Sequence, residues 1–182
     1  MSTATQMTPS PTIDPADEAR ENALWDQRCG VLHKAWVQVR YHRYRQRFFD
    51  LADKLTKAAT IVLGASLLGQ YAKNIPWIAT AITSLGFVAL VFAYGDRKQT
   101  HKELAEQASK LVGDIERVTL AELSPARTAA WTAEYVQLCA KAPPPLKTLT
   151  LICEREQSAA DGHPNHVPLQ PFYRRWLCHF FS

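Results

Sequence analysis

One stretch of this sequence limits the possible folds more than any other: residues 58–95 contain a single charged side chain, Lys73. The protein has 182 residues, of which 21 are Lys or Arg and 17 are Asp or Glu, so an even spread would place about eight charges there. The overall composition, 47% apolar and 21% charged, is typical of neither a disordered nor a collagen-like chain. A stretch of this length with a single charge belongs inside a large core or inside a lipid bilayer.

The second half of this stretch, residues 75–94, reads IPWIATAITSLGFVALVFAY and carries no charge. As a helix these twenty residues span about 30 Å, the thickness of the hydrocarbon layer. Trp77 and Tyr94 lie near its two ends, where aromatic side chains meet the membrane surface. A soluble helix this apolar needs a larger protein around it than this chain supplies, so we predict a transmembrane helix.

The first half, residues 58–72, is too short to span a bilayer alone, but extension back to Leu51 reaches the required length. Lys54 and Lys57 would then extend towards the lipid headgroups. Because Lys73 and Asn74 leave room for only a short turn, the two spans are expected to be antiparallel. The predicted fold class is therefore an all-α membrane protein, a two-span antiparallel transmembrane helical hairpin extended into a cytoplasmic helical stem.

The cations beside the predicted spans indicate their orientation. Residues 38–57 hold six Lys and Arg and residues 96–112 hold four, whereas the predicted turn holds one. Cytoplasmic flanks are enriched in Lys and Arg, so both termini are expected in the cytoplasm. The net charge of +4 is thus interpreted as a topology signal, and no direct binding of nucleic acid is expected. The membrane-flank cations are Arg43, Arg45, Arg47, Lys54, Lys57, Arg97 and Lys98.

Apolar periodicity predicts helices on both sides of the hairpin. Asp14-Pro15 is a helix start, and a seam in four-three steps follows at Val37, Tyr41, Tyr44, Phe48, Leu51 and Leu55, which fits a coiled stem and an ordinary core helix about equally. The same steps recur at Leu104, Ala108, Leu111, Ile115 and Val118, so the two seams are expected to pair.

The remaining segments are less regular. Ser124-Pro125 predicts a helix in which Trp131, Tyr135 and Leu138 share a face, and residues 146–156 fit a strand or a helix. The aromatic tail fits an interfacial anchor and docking on the stem about equally. We divide the chain into a disordered N-terminus (1–13), a basic and aromatic cytoplasmic helix (14–57), the hairpin (58–95), cytoplasmic helices (96–141), and a Pro-containing linker with an amphipathic aromatic tail (142–182).

Catalytic motifs are absent from the sequence, so we predict neither an enzyme nor a cofactor. The nearest approach to a metal cluster is Cys153, His163, His166 and Cys178, whose spacing differs from that of zinc sites, and no metal is expected. The four cysteines show no paired spacing and no secretory signal precedes them, so they are expected to be reduced thiols.

The candidate functional residues are small and polar side chains of the predicted spans. They are Thr60, Gly64, Ser66, Gly69, Gln70, Thr80, Thr83 and Ser84. Such residues allow helices to approach closely and to form hydrogen bonds in lipid. They serve either the packing of the hairpin on itself or the lining of a narrow pore in an oligomer, because two helices alone enclose no channel.

The arrangement resembles the SLATT family in the basic aromatic helix WVQVRYHRYRQRFFDLADKLTKA, the short first span with Leu63-Gly64, the minimal turn, the second span and the charged helix that follows. The similarity covers roughly residues 25–160. It implies a membrane effector of bacterial conflict systems that forms oligomers and a pore, or otherwise disrupts the inner membrane. It also implies a cytosolic partner, either a nucleotide-generating or nucleotide-sensing protein or a reverse transcriptase.

Two other functions remain open from the sequence. One is a non-catalytic membrane anchor that recruits a cytosolic enzyme through its C-terminal region. A holin-like lysis protein shares the hairpin, although holins usually lack so long a helical cytoplasmic portion.

Overall fold

The computed structural model describes residues 15–68 and 75–179, and every regular element within these ranges is helical. The elements are α1 (Pro15–Leu68), α2 (Ile75–Phe92), α3 (Tyr94–Glu116), a 3₁₀ turn (Leu120–Glu122), α4 (Pro125–Lys141), α5 (Lys147–Ala160) and α6 (Phe172–Trp176). The predicted disorder of residues 1–13, the predicted turn, Gly69 and Gln70 lie outside the described residues.

Helix α1 is one continuous rod of 54 residues, about 80 Å long. It begins at Pro15, as the Asp14-Pro15 pair predicts, and Asp17 and Glu18 lie in its first turn, where the helix dipole favours negative charge. The helix continues through Gly30, where an added Cβ would meet nothing within 4 Å. The basic segment and the first predicted span, as far as Leu68, are therefore parts of the same helix.

The stem forms where α3 packs along α1. The predicted seam of α3 is confirmed, since Ala108, Leu111 and Ile115 have no exposed surface and Leu104 is 3% exposed. Against them lie three residues of α1, namely Val31, Ala35 and Val39. Trp131 and Leu138 of α4 complete this first core, and Tyr135 packs at its edge, as the sequence predicts.

The predicted pairing of the α1 seam with α3 is wrong, because α3 packs on a different face of α1. Val37 and Tyr41 do pack, but in a second core with Leu149 and Cys153 of α5 and with Cys178 of the tail. The last two seam positions, Leu51 and Leu55, are 56% and 60% exposed. Helix α1 therefore has two apolar faces, one for α3 and α4 and one for α5 and the tail.

The C-terminal segments answer two alternatives that the sequence left open. Residues 147–160 form helix α5, whose Leu149 and Cys153, one turn apart, both point into the second core. The tail docks on the stem near the end of its described part, because the His179 ring stacks on that of Phe48 with 4.5 Å between centroids and Cys178 lies in the second core. At α4, the Ser124 side chain accepts a hydrogen bond from the Arg127 amide, so the predicted N-cap is confirmed.

Helix α2 packs against α1 along one side only. The half-buried positions of α2 follow helical spacing: Ile78, Ala81, Ile82, Leu85 and Ala89. Within the described ranges one helical segment, beginning at Trp77, is long and apolar enough to cross a membrane, and none of its most apolar window is buried. At the end of α2, Ala93 has a left-handed backbone (φ 43°, ψ 51°) and separates α2 from the stem helix α3.

Candidate functional site

Three of the candidate hydroxyl groups form hydrogen bonds within their own helices. The Thr83 hydroxyl donates to the Ala79 carbonyl at 2.9 Å, and that of Ser84 donates to the Thr80 carbonyl at 2.8 Å. Thr60 donates in the same way to the carbonyl four residues earlier, at 2.9 Å. These bonds satisfy the hydroxyl hydrogens without a second helix and leave the oxygens able to accept.

The polar residues of α2 lie away from α1. Thr80, Thr83 and Ser84 are exposed and share the side of α2 opposite its half-buried positions. On α1, Gly64 marks no close approach between the helices, because a Cβ added there meets nothing within 4 Å. The packing of the described hairpin thus leaves its polar α2 side chains uncovered. The backbone of Ser66, another candidate residue, lies in α1.

Three of the predicted flank cations form ion pairs that draw them towards the stem. Lys54 and Lys98 both contact Asp50, at 2.6 and 2.7 Å, and Lys57 contacts Asp53 at 2.7 Å. Hydrogen bonds from Lys54 and Lys98 lower the pKa of Asp50 to about 2. The Lys98 contact connects α3 to α1 about one turn after the start of α3.

The other four flank cations are arginines and divide into two pairs. Arg43 and Arg47 are exposed on the outer surface of α1. Arg45 is half-buried over the Phe49 ring, with its guanidinium carbon 4.5 Å from the ring centroid, and its Nη1 donates to the His179 carbonyl at 3.0 Å. Arg97 faces the same cleft from α3.

A buried histidine pair joins α1 to α3 and was not anticipated from the sequence. The Nδ1 atoms of His42 and His101 are 2.9 Å apart, and the two side chains are 0% and 3% exposed. The Phe49 ring stacks on that of His101 with 5.6 Å between centroids. Burial lowers the pKa of His42 to about 3 and that of His101 to about 4, so both rings are neutral near pH 7.

The environment of this pair assigns its protons. In a contact between two Nδ1 atoms, one ring donates and the other accepts. The His42 Nε2 atom is buried and has no partner among the described residues. An unmade donor bond there is avoided if His42 carries its proton on Nδ1 and donates to His101, whose own proton then lies on Nε2. The sequence signal for this pair is weak: His42 lies three residues after Val39, so the two side chains share one side of α1.

Helix α5 is held to α1 by polar contacts. The Tyr44 hydroxyl donates to both carboxylate oxygens of Glu156, at 2.8 and 3.1 Å, and Arg40 Nε donates to Gln157 at 2.9 Å. Burial, followed by this hydrogen bond, raises the pKa of Tyr44 to about 12. At the end of α5, His33 Nδ1 lies 2.6 Å from an Asp161 carboxylate oxygen. These contacts hold the C-terminal helices against the stem.

Burial disfavours the thiolate form of the two buried cysteines, Cys153 and Cys178. All four cysteines are free, and burial raises the pKa of Cys153 to about 12, which disfavours the thiolate that acts as a nucleophile or metal ligand. His163 and His166 are exposed, whereas Cys153 and Cys178 are buried. Within the described ranges no three His, Cys, Asp or Glu side chains come together as metal ligands.

Comparisons with known proteins were made at three levels. No protein-family model matches the chain, and neither a curated protein nor a solved structure is significantly similar to it.

Proposed function

We propose that this protein is a two-span inner-membrane effector of a bacterial anti-phage system, similar to SLATT proteins, whose oligomer forms a pore or disrupts the membrane. A cytosolic nucleotide-linked sensor supplies the trigger. One observation carries the membrane part of the proposal: α2 is charge-free and exposed, yet it is attached to a stem that buries its own core.

The exposed apolar surface of the hairpin is what a lipid environment would explain. Trp77 and Phe87 of α2 are 79% and 66% exposed, and Ile61 and Val62 of α1 are 70% and 65% exposed. Soluble monomers rarely expose a continuous apolar surface of this extent. Lipid chains or a neighbouring hairpin would cover it, and the cations of the stem would then remain on one side.

Self-association is supported by the placement of the polar residues of α2. Thr80, Thr83 and Ser84 lie on the side that the hairpin itself does not use. In a bilayer this side meets either lipid or another copy of the chain, and hydroxyl oxygens favour a polar neighbour or a water-filled lumen. An oligomer built through this side of α2 therefore places the hydroxyls towards a central axis.

Thiol labelling tests the two-span topology. Cys29 is exposed on the stem, and Lys73 stands between the two predicted spans. In intact spheroplasts a membrane-impermeant maleimide should label a Cys29→Ala/Lys73→Cys variant but should not label Cys29 of the parent until the membrane is opened. Labelling of Cys29 in intact spheroplasts, or protection of a cysteine at 73, would reject this topology.

Dye release from liposomes tests the pore. The full-length protein, with the activating partner present, should release the dye, and Thr83→Leu should reduce release strongly because it places an apolar side chain on the polar side of α2. Ile61→Leu, which also introduces a leucine at an exposed position of the hairpin but removes no hydroxyl, is the control. Absence of leakage in every oligomeric state would eliminate the pore.

The second candidate function is a non-catalytic anchor for a cytosolic enzyme, and helix α6 favours it. Phe172 and Tyr173 are 84% and 53% exposed next to Arg174 and Arg175, a composition typical of protein interfaces. An anchor should lose function when residues 163–182 are deleted and keep it in Thr83→Leu, while a pore should show the reverse sensitivity. Phe172→Ser/Tyr173→Ser gives the same test without removing the buried Cys178.

A further inference from the structure

A basic cleft lies between α1, α3 and the proline linker, on the side of the stem that adjoins α2. We define the basic cleft by six of its lining residues: Arg45, Arg97, Thr100, His101, Lys141 and Pro143. The cavity has a volume of about 570 Å³, within the range of small-ligand sites. The buried rings of Tyr41 and Phe49 contribute to its lining.

The charge of the basic cleft is unbalanced. No Asp or Glu lines it, and Arg45, Arg97 and Lys141 take part in no ion pair among the described residues. Other cations of the stem find carboxylates, as Lys98 does with Asp50. Burial, together with the charge of Arg97, lowers the pKa of Arg45, so these two guanidinium groups repel each other across the cleft.

We propose that the basic cleft binds a phosphate-bearing ligand. Guanidinium groups match phosphate oxygens with paired hydrogen bonds, and an anion between Arg45 and Arg97 removes their repulsion. Arg45 is held in place by the His179 carbonyl and the Phe49 ring, which leaves fewer degrees of freedom to lose on binding. The Tyr41 hydroxyl accepts from the Leu146 amide at 3.1 Å, so its own hydrogen remains available to a ligand oxygen.

The position of the cleft favours a lipid headgroup as the source of this phosphate. Arg97 lies four residues, or about 6 Å of helix, after Ala93, the residue that separates α2 from α3. Cations at this depth meet the anionic lipid surface if α2 spans the bilayer. The lipid source rests on the proposed function for this reason, whereas the phosphate site itself does not. A soluble phosphate compound is the other source of the same chemistry.

The test compares two pairs of substitutions that remove equal charge from the full-length protein in an uncharged detergent. Arg97→Gln/Lys141→Gln removes two exposed cations from the basic cleft, and Arg43→Gln/Arg47→Gln removes two exposed cations outside it. Thermal unfolding without ligand establishes that both pairs fold. One arm titrates pyrophosphate and the other titrates short-chain phosphatidylglycerol, with short-chain phosphatidylcholine as its control, at about 0.15 M salt to screen general attraction.

The parent protein should bind at least one probe, and the cleft pair should weaken that binding about tenfold or more while the control pair changes it less than about twofold. Preference for phosphatidylglycerol identifies a lipid headgroup, and preference for pyrophosphate identifies a soluble ligand. The proposal is overturned if neither probe binds or if both pairs weaken binding equally. Pyrophosphate binding without liposome leakage would remove the pore and leave the site intact.

Discussion

Acid should destabilise the stem through the His42–His101 pair. Both imidazoles are buried, and their pKa values fall from the model-compound value of 6.5 to about 3 and about 4. The folded stem therefore keeps them neutral while the unfolded chain binds a proton on each below pH 6.5. The folding free energy that depends on the neutral imidazoles is fully present above pH 6.5 and declines as the pH falls below that value.

The size of the effect follows from the same pKa values. Each unfolded imidazole binds its proton below pH 6.5 while the folded one does not, so each costs on the order of 2–3 kcal/mol of folding free energy at pH 4.5. Together the two histidines account for about 5 kcal/mol, which equals the whole stability of a weakly stable domain. The Asp50 carboxylate, whose folded pKa is depressed from 3.8 to about 2, is lost as a stabilising group only as the pH falls through that lower range.

Urea unfolding of the full-length protein in uncharged detergent, followed by circular dichroism at pH 7.5 and pH 4.5, measures this loss. His42→Leu/His101→Leu replaces the pair by apolar side chains and should remove most of this pH dependence. The part that remains comes from His179, whose pKa is lowered to about 4 by burial and by the charge of Arg45. His163→Asn/His166→Asn, at exposed positions, should behave as the parent does. A parent protein that is equally stable at both pH values, or a Leu/Leu variant that still loses about 5 kcal/mol, would refute the reasoning.

Three further results are expected. Leu111→Ala should lower the free energy of unfolding by about 2–5 kcal/mol because Leu111 has no exposed surface, whereas Val136→Ala, at a position 58% exposed, should change it by less than about 0.5 kcal/mol in the same urea assay. In thiol titration at pH 8, Cys29 should react rapidly and Cys153 only after unfolding; equal rates would contradict its burial. Tyr44→Phe should cost about 1 kcal/mol through the lost bond to a carboxylate of α5, and should not change tyrosine absorbance titrated below about pH 11, since the Tyr44 pKa is raised to about 12; a neutral substitution would show that α5 does not depend on this bond.

Local sequence patterns were sufficient for several elements. The seam at Ala108 and Leu111 predicted the buried face of α3, and Ser124 with Pro125 predicted the start of α4. Each of these signals depends on residues less than two turns apart, because helical periodicity and capping are properties of neighbouring side chains. Residues 146–156 remained ambiguous because so short a segment takes its structure from the core it contacts.

The partners of α1 could not be predicted in the same way. Val37 and Tyr41 form a clear periodic seam, yet the face that meets α3 carries Ala35, Val39 and the polar His42. A helix that is apolar on two sides does not specify which neighbour takes which side. Burial of a histidine there depends on a second histidine 59 positions away that completes its hydrogen bond.

The sequence by itself determined that one helix of this protein is long, apolar and free of charge, and that cations cluster beside it, because length and composition are properties of a continuous segment. Only the tertiary structure decided that Arg45, Arg97 and Lys141 share a cleft in which no carboxylate of the described residues takes part. It also decided that Thr80 and Ser84 lie away from α1. Both are relations between elements. The first depends on how α1, α3 and the segment after α4 pack together, and the second on how α2 packs against α1.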